Sequence, residues 1–381
     1  MGTVLQAVSK KKVDLNNLVG PPLQAKKKID VPKKTFVVKK DTTAKSKENI
    51  DLNKKNITAV KPKAEIIVQK KAAVQVQNKV SEVVKSSQIQ QTKEMGIYDP
   101  DEKTKDDPLM VVEYTEDILA YLRTIEDKYP IKEKFLEGAK VTSKMRATLV
   151  NWLVEAHMNF SLELDTLYLC ISIIDRYLQV NKSVDRSVFQ LVGASALLLS
   201  CKHEELYVPD VSDFVFICDN AFKKEQILQM EVDIVKKLDF RMGWPLGIYF
   251  LRRYSKVAQV KSDHYNLAKY ILELGLLEYN VSSIKPSLQA AAACCLSMAV
   301  LNMVSDPSKV WTPTLAHYTK YHYSDFKQYM YDYADLIAKA ETSKHDTIKQ
   351  KYSSSKFGKI SLSFKLNGPL IRKMTLSPVL K

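Results

Sequence analysis

Two uncharged stretches built from small residues lie 99 positions apart, and they restrict the fold more than any other feature of the chain. Gln190-Leu-Val-Gly-Ala-Ser-Ala-Leu-Leu-Leu and Gln289-Ala-Ala-Ala-Ala-Cys-Cys-Leu-Ser-Met offer no polar face to water, which suits helices enclosed on all sides. The same offset lays Leu149-Val-Asn-Trp on Ile248-Tyr-Phe-Leu and Ile171-Ser-Ile-Ile on Tyr270-Ile-Leu-Glu. Three helices in register predict two copies of a unit of roughly a hundred residues, each wrapped round a small-residue helix.

The apolar period from Val112 onward predicts helices near 112–128, 143–158, 165–180, 186–202, 209–217 and 223–238. Pro209, Pro245, Pro286 and Pro313 are expected in first helical turns, with Thr312 capping the last of these. Strand alternation flanked by turn dipeptides is not found, so the fold class is all-α. The longest apolar run, from Leu288 to Val304, is interrupted by Gln289, Ser297 and Asn302. It reads as a buried central helix rather than a membrane span, which needs ~20 predominantly apolar residues.

Charge is segregated. Residues 1–93 hold 21 Lys, seven acids and no Arg, and residues 344–381 carry a net charge of +8. Because the whole chain is +15, the intervening 94–343 is −7. The basic character therefore belongs to the two ends, and the body is mildly acidic. With Phe36 its one aromatic residue, the first segment cannot bury enough apolar area to offset its ordering entropy and is expected to be disordered.

Enzymatic and metal chemistry find little support. Ten glycines form neither a GxGxxG nor a GxxxxGK[ST] motif, and HExxH is absent. Cys170, Cys201, Cys218, Cys294 and Cys295 each lie in apolar surroundings, which suits reduced buried thiols better than a disulfide framework. No secretory signal is read, because Lys10, Lys11 and Lys12 break the first apolar residues. No cofactor, nucleic-acid partner or membrane partner is expected.

The segment Met145-Arg-Ala-Thr-Leu-Val-Asn-Trp-Leu-Val-Glu resembles the first helix of a cyclin box. Asp175-Arg-Tyr-Leu, Leu191-Val-Gly-Ala, Cys201-Lys-His-Glu-Glu and Met230-Glu-Val-Asp-Ile-Val-Lys-Lys-Leu follow in the cyclin order and spacing. Phe250-Leu-Arg-Arg-Tyr, Tyr270-Ile-Leu-Glu-Leu and Leu277-Glu-Tyr are similar to B-type mitotic cyclins. Together with Phe216-Ile-Cys-Asp-Asn, the first of these looks most like the B-three branch. The resemblance implies tandem cyclin boxes, two five-helix bundles at 142–243 and 244–341. Before them it implies a disordered tail at 1–93, a linker at 94–111 and an N-terminal helix with its own linker at 112–141; after them, a basic flexible tail at 342–381.

A cyclin has no chemistry of its own; it activates a cyclin-dependent Ser/Thr kinase. By the resemblance, Lys202 and Glu231 form the central pair that grips the kinase. Leu199, His203, Val235, Phe240 and Met242 surround the pair, and Tyr114, Ile118 and Tyr121 add a contact strip on the N-terminal helix. On spacing alone, Lys202 and Glu231 are an ordinary surface ion pair, and the three strip residues are the stripe that docks their helix on its own domain. Met145, Leu149 and Trp152, with Glu155 and Gln190, match the groove that receives Arg-x-Leu motifs of substrates or inhibitors. Met145, Leu149 and Trp152 fall at i, i+4 and i+7, which by itself reads as core. Arg146 and Asp175 match a buried structural ion pair.

In the N-terminal tail, Lys47-Glu48-Asn49 reads as a KEN degron, whose partner is the anaphase-promoting ubiquitin ligase. Lys10 to Lys12 and Lys26 to Lys28 suit nuclear import, and Ser377-Pro378 suits proline-directed phosphorylation. The resemblance thus implies a nuclear regulatory subunit of mitotic, and by extension meiotic, division. A TFIIB-like transcription factor also uses two cyclin-like repeats, but such a protein wants a basic body to meet DNA, and this body is −7.

Overall fold

The computed structural model of the protein describes residues 96–376. The Lys47-Glu48-Asn49 and Ser377-Pro378 motifs and the basic clusters near the start lie outside the described residues. Helix α1 (Thr115–Lys128) comes first, followed by α2 (Ser143–Phe160), α3 (Leu164–Val180), α4 (Phe189–Glu204), α5 (Val211–Ile217) and α6 (Lys224–Lys237). A second set of five repeats the order: α7 (Gly247–Val257), α8 (Ser262–Leu277), α9 (Pro286–Leu301), α10 (Pro313–Thr319) and α11 (Tyr323–Ala340). No strand occurs among the described residues.

The internal repeat read from the sequence is the repeat observed. Helix α4 lies against α2, α3 and α6, and α9 lies against α7, α8 and α11. Both are buried along nearly their whole length, as their lack of a polar face demands. Small residues at these positions let neighbouring helices approach closely. A Cβ on Gly193 of α4 would stand 2.8 Å from Cδ1 of Leu149 on α2.

Two of the four prolines behave as expected. Pro286 and Pro313 open α9 and α10, and the Thr312 hydroxyl accepts from Leu315 N at 3.2 Å. Pro209 and Pro245 instead precede their helices. The Asp210 carboxylate captures Ser212 N at 2.8 Å and starts α5 at Val211. Pro245 lies in the buried linker joining the two repeats, ahead of α7.

Arg146 and Asp175 form the expected buried pair, with Nε and Nη2 each 2.6 Å from a carboxylate oxygen. The structure adds a third contact. Arg146 Nη1 donates to Leu276 O at 2.8 Å, so this guanidinium on α2 also holds the end of α8 in the other repeat.

The expectation of a flexible basic tail after residue 341 is corrected. The chain continues as α12 (Thr347–Tyr352), a series of 3-10 turns and α13 (Pro369–Leu376), packed on α2, α8 and α11. Ile348 and Tyr352 are wholly buried, and Ile360, Leu366, Ile371 and Met374 are nearly so. Their burial offsets the ordering entropy that the charge count had suggested could not be met. Glu273, inside α8, accepts from Lys351 at 2.8 Å and from the Tyr352 hydroxyl.

The expected linker at 94–111 is not loose where it is described. The Tyr98 hydroxyl donates to Val257 O, and the Asp101 carboxylate lies 2.6 Å from Arg253 and 2.7 Å from Lys256, both on α7. Burial alone would raise the Asp101 pKa, but hydrogen bonds from Lys256 and Arg253 outweigh it and hold the carboxyl below its ordinary range.

Candidate partner-binding surface

The C-terminal turn of α4 and the middle of α6 bring Lys202 and Glu231 together, with Nζ 2.5 Å from Oε1. The Lys202 side chain is 45% exposed and the Glu231 side chain 13%. The ammonium keeps two further donors and the carboxylate a second oxygen, facing outward from a stem packed on the end of a buried helix. Such a pair can accept a backbone N–H and donate to a backbone C=O of a visiting chain. Neither group is entombed, as an activating grip requires.

Around the pair, Leu199 is buried, Val235 and Met242 are half-buried, and Phe240 is 72% exposed. Asp239 and Phe240 have φ values of 53° and 57°, in the left-handed region where non-glycine residues are uncommon. The turn is held by Phe240 N donating to Val235 O at 3.0 Å. An aromatic ring is thus kept in solvent by a strained backbone, an arrangement that cluster surveys associate with functional sites. His203 is exposed and bonded to the neighbouring Glu204 at 2.9 Å.

Tyr114, Ile118 and Tyr121 are all exposed. Spacing alone had made them the docking stripe of α1, and the structure corrects that reading. The docking face is instead Leu119, Leu122 and Glu126, whose buried carboxylate accepts from Ser287 N at 3.1 Å and from the Ser287 hydroxyl at 2.5 Å.

The proposed docking groove is only partly a surface. Leu149 and Gln190 are core residues and Trp152 is nearly buried, which corrects the expectation of an open apolar face. Leu149 points into the space left by Gly193. Met145 is half-buried and Glu155 exposed. The C-terminal segment crosses this helix: Thr347 Oγ1 donates to Glu155 at 2.9 Å, and His345 Nε2 is 3.2 Å from the Thr148 hydroxyl.

Residues 117–243 match the family described as the cyclin N-terminal domain, and residues 245–365 match the cyclin C-terminal domain. The chain is 46% identical over 282 residues to the G2/mitotic-specific cyclin-B of Patella vulgata, covering 74% of this chain and 68% of that one. The protein belongs to the cyclin family. To the G2/mitotic-specific cyclin-B of Spisula solidissima this cyclin is 45% identical over 285 residues, and the match spans 65% of that relative's length. A viral cyclin from herpesvirus saimiri shares the fold with a TM-score of 0.52 at 21% identity, covering 58% of this chain and 97% of that structure.

Sequence reading missed part of the exposed apolar surface of this cyclin. Val232 and Leu228, one and two turns along α6 from the Phe240 end, are also exposed. They lie at i+1 and i−3 from Glu231 and so border the pair. Their i, i+4 spacing was legible in the sequence, but it reads equally well as an inward stripe.

Proposed function

We propose that this cyclin is the regulatory subunit of a cyclin-dependent Ser/Thr protein kinase that drives the onset and progress of mitosis. The observation that carries the reading is the Lys202–Glu231 pair, outward-facing at the end of a buried helix and bordered by exposed Phe240 and Val232. Kinase activity needs the mobile regulatory helix of the small lobe in place, because that helix supplies the Glu paired with the ATP-gripping Lys. A rigid surface complementary to the active position binds that state better and shifts the population toward it. Turning a mostly inactive kinase mostly active takes a differential affinity of ~5 kcal/mol.

Met145, Trp152 and Glu155 form the remaining candidate contact for Arg-x-Leu segments of substrates or inhibitors, with the Arg meeting Glu155. Lys47-Glu48-Asn49 in a lysine-rich segment supports ubiquitin-dependent destruction through the anaphase-promoting ligase, and the basic clusters support a nuclear location. The deciding experiment is co-purification of the full chain followed by a histone-kinase assay. Mitotic kinase activity that depends on the chain is expected; no associated activity would overturn the reading.

A further inference from the structure

The exposed strip on α1 does not stop at Tyr114. Moving back along the chain, Val111 lies three residues before Tyr114 and Met110 four before it, continuing the spacing that links Tyr114 to Ile118 and Tyr121. Two 3-10 turns, Pro108–Met110 and Val112–Tyr114, carry these residues, joined at Val111. Leu109 is 87% exposed, and Met110 and Val111 are close to half exposed. Three consecutive large apolar side chains in water, in line with another three, make a patch that a monomer rarely leaves uncovered.

The turn is also built rather than loose. Val111 has φ 47° and ψ 40°, a left-handed conformation that is a genuine outlier for a β-branched residue. The Asp107 side chain accepts from Leu109 N at 3.0 Å, and Tyr114 N donates to Val111 O at 3.0 Å. Upstream, Asp107 N donates to Thr104 O, and Thr104 N to Asp101 O. Lys256 Nζ, already paired with Asp101, also reaches Thr104 Oγ1 at 2.8 Å. A continuous ladder of turn bonds therefore runs from the buried ion cluster on α7 to the exposed apolar turn. The anchoring restrains the turn before any partner arrives, which lowers the ordering cost of binding.

We infer that Leu109, Met110 and Val111 are a preorganised extension of the α1 strip and contact the same kinase, adding an apolar anchor one turn N-terminal to Tyr114. The inference rests on the proposed kinase partnership. Continuity with the Tyr114–Ile118–Tyr121 strip identifies the occupant. Asp106, Asp107, Glu113, Glu116 and Asp117 flank the stripe, so the matching kinase patch is apolar with a basic rim.

The test uses the full chain and its co-purifying cyclin-dependent kinase, with affinity measured by titration and stability by thermal melting. L109S/M110S is expected to leave the melting temperature of the free cyclin unchanged, because both side chains already face water, and to weaken binding by about ten- to a hundredfold. V111G should raise the melting temperature by relieving the backbone and still weaken binding. A purely structural turn would instead raise stability without touching affinity. Wild-type affinity in L109S/M110S overturns the inference alone, whereas failure of the unmodified chain to bind any such kinase overturns the functional reading beneath it.

Discussion

Lys351 Nζ lies 2.8 Å from a carboxylate oxygen of Glu273, and neither side chain has more than a trace of contact with solvent. The pair joins the C-terminal segment to α8, beside the buried Tyr352 ring. A buried carboxylate deprived of its cation is stranded in a low-dielectric interior. Lys351→Met is expected to cost ~3–5 kcal/mol in urea unfolding, and the double change Lys351→Met with Glu273→Leu should recover much of it. Equal losses in the single and double variants would show that the pair is not what holds the segment.

The Lys202–Glu231 pair is different in kind, since it is largely wet and contributes only ~0–1 kcal/mol to folding. Lys202→Ala should therefore leave the unfolding midpoint nearly unchanged while abolishing kinase co-purification. A variant that melts normally and still binds with wild-type affinity would remove the pair from the grip.

Stability should fall on mild acidification, and His157 is a main reason. Its ring is buried in α2, with Nε2 3.1 Å from Glu163 O, and burial followed by the nearby Lys351 charge pushes its pKa down to about 3. The folded state keeps the ring neutral, whereas the unfolded chain takes up a proton near the ordinary pKa of 6.5. This contribution is complete above about pH 6.5 and is lost toward pH 3 at up to ~1.4 kcal/mol per pH unit. His345, also held low by burial, adds the same sign. Chemical denaturation at pH 7.5 and pH 5.5 should show a smaller pH difference in His157→Gln, and an unchanged difference would rule His157 out as the source.

Gly193 leaves room for Leu149, so Gly193→Ala should overpack the α2–α4 crossing and cost ~1–3 kcal/mol. Leu149→Val placed beside it should restore part of the loss. If Gly193→Ala is neutral, the crossing has slack that the close approach does not suggest.

How much of this was readable beforehand follows from how much each residue type commits itself. The central helices were legible because an uncharged small-residue stretch has no place but the interior. The N-terminal strip was misread on spacing because Tyr114, Ile118 and Tyr121 look like an inward stripe. The true docking face includes Glu126, whose burial only the Ser287 contact explains. Met145, Leu149 and Trp152 carried a groove by resemblance and core by spacing, and for Leu149 the spacing was right. The C-terminal segment was hidden by its lysines. Its anchors sit in short turns with no helical period, and the partner that admits Lys351 lies 78 positions away in sequence.

The guanidinium of Arg146 spans both halves of the molecule, bound to a carboxylate of one and a carbonyl of the other. Loosening either half strands the same positive charge, so the halves should melt together instead of one after the other. A half-disassembled subunit with its grip intact is thereby made costly, and the switch it serves is given two clear positions, held or released.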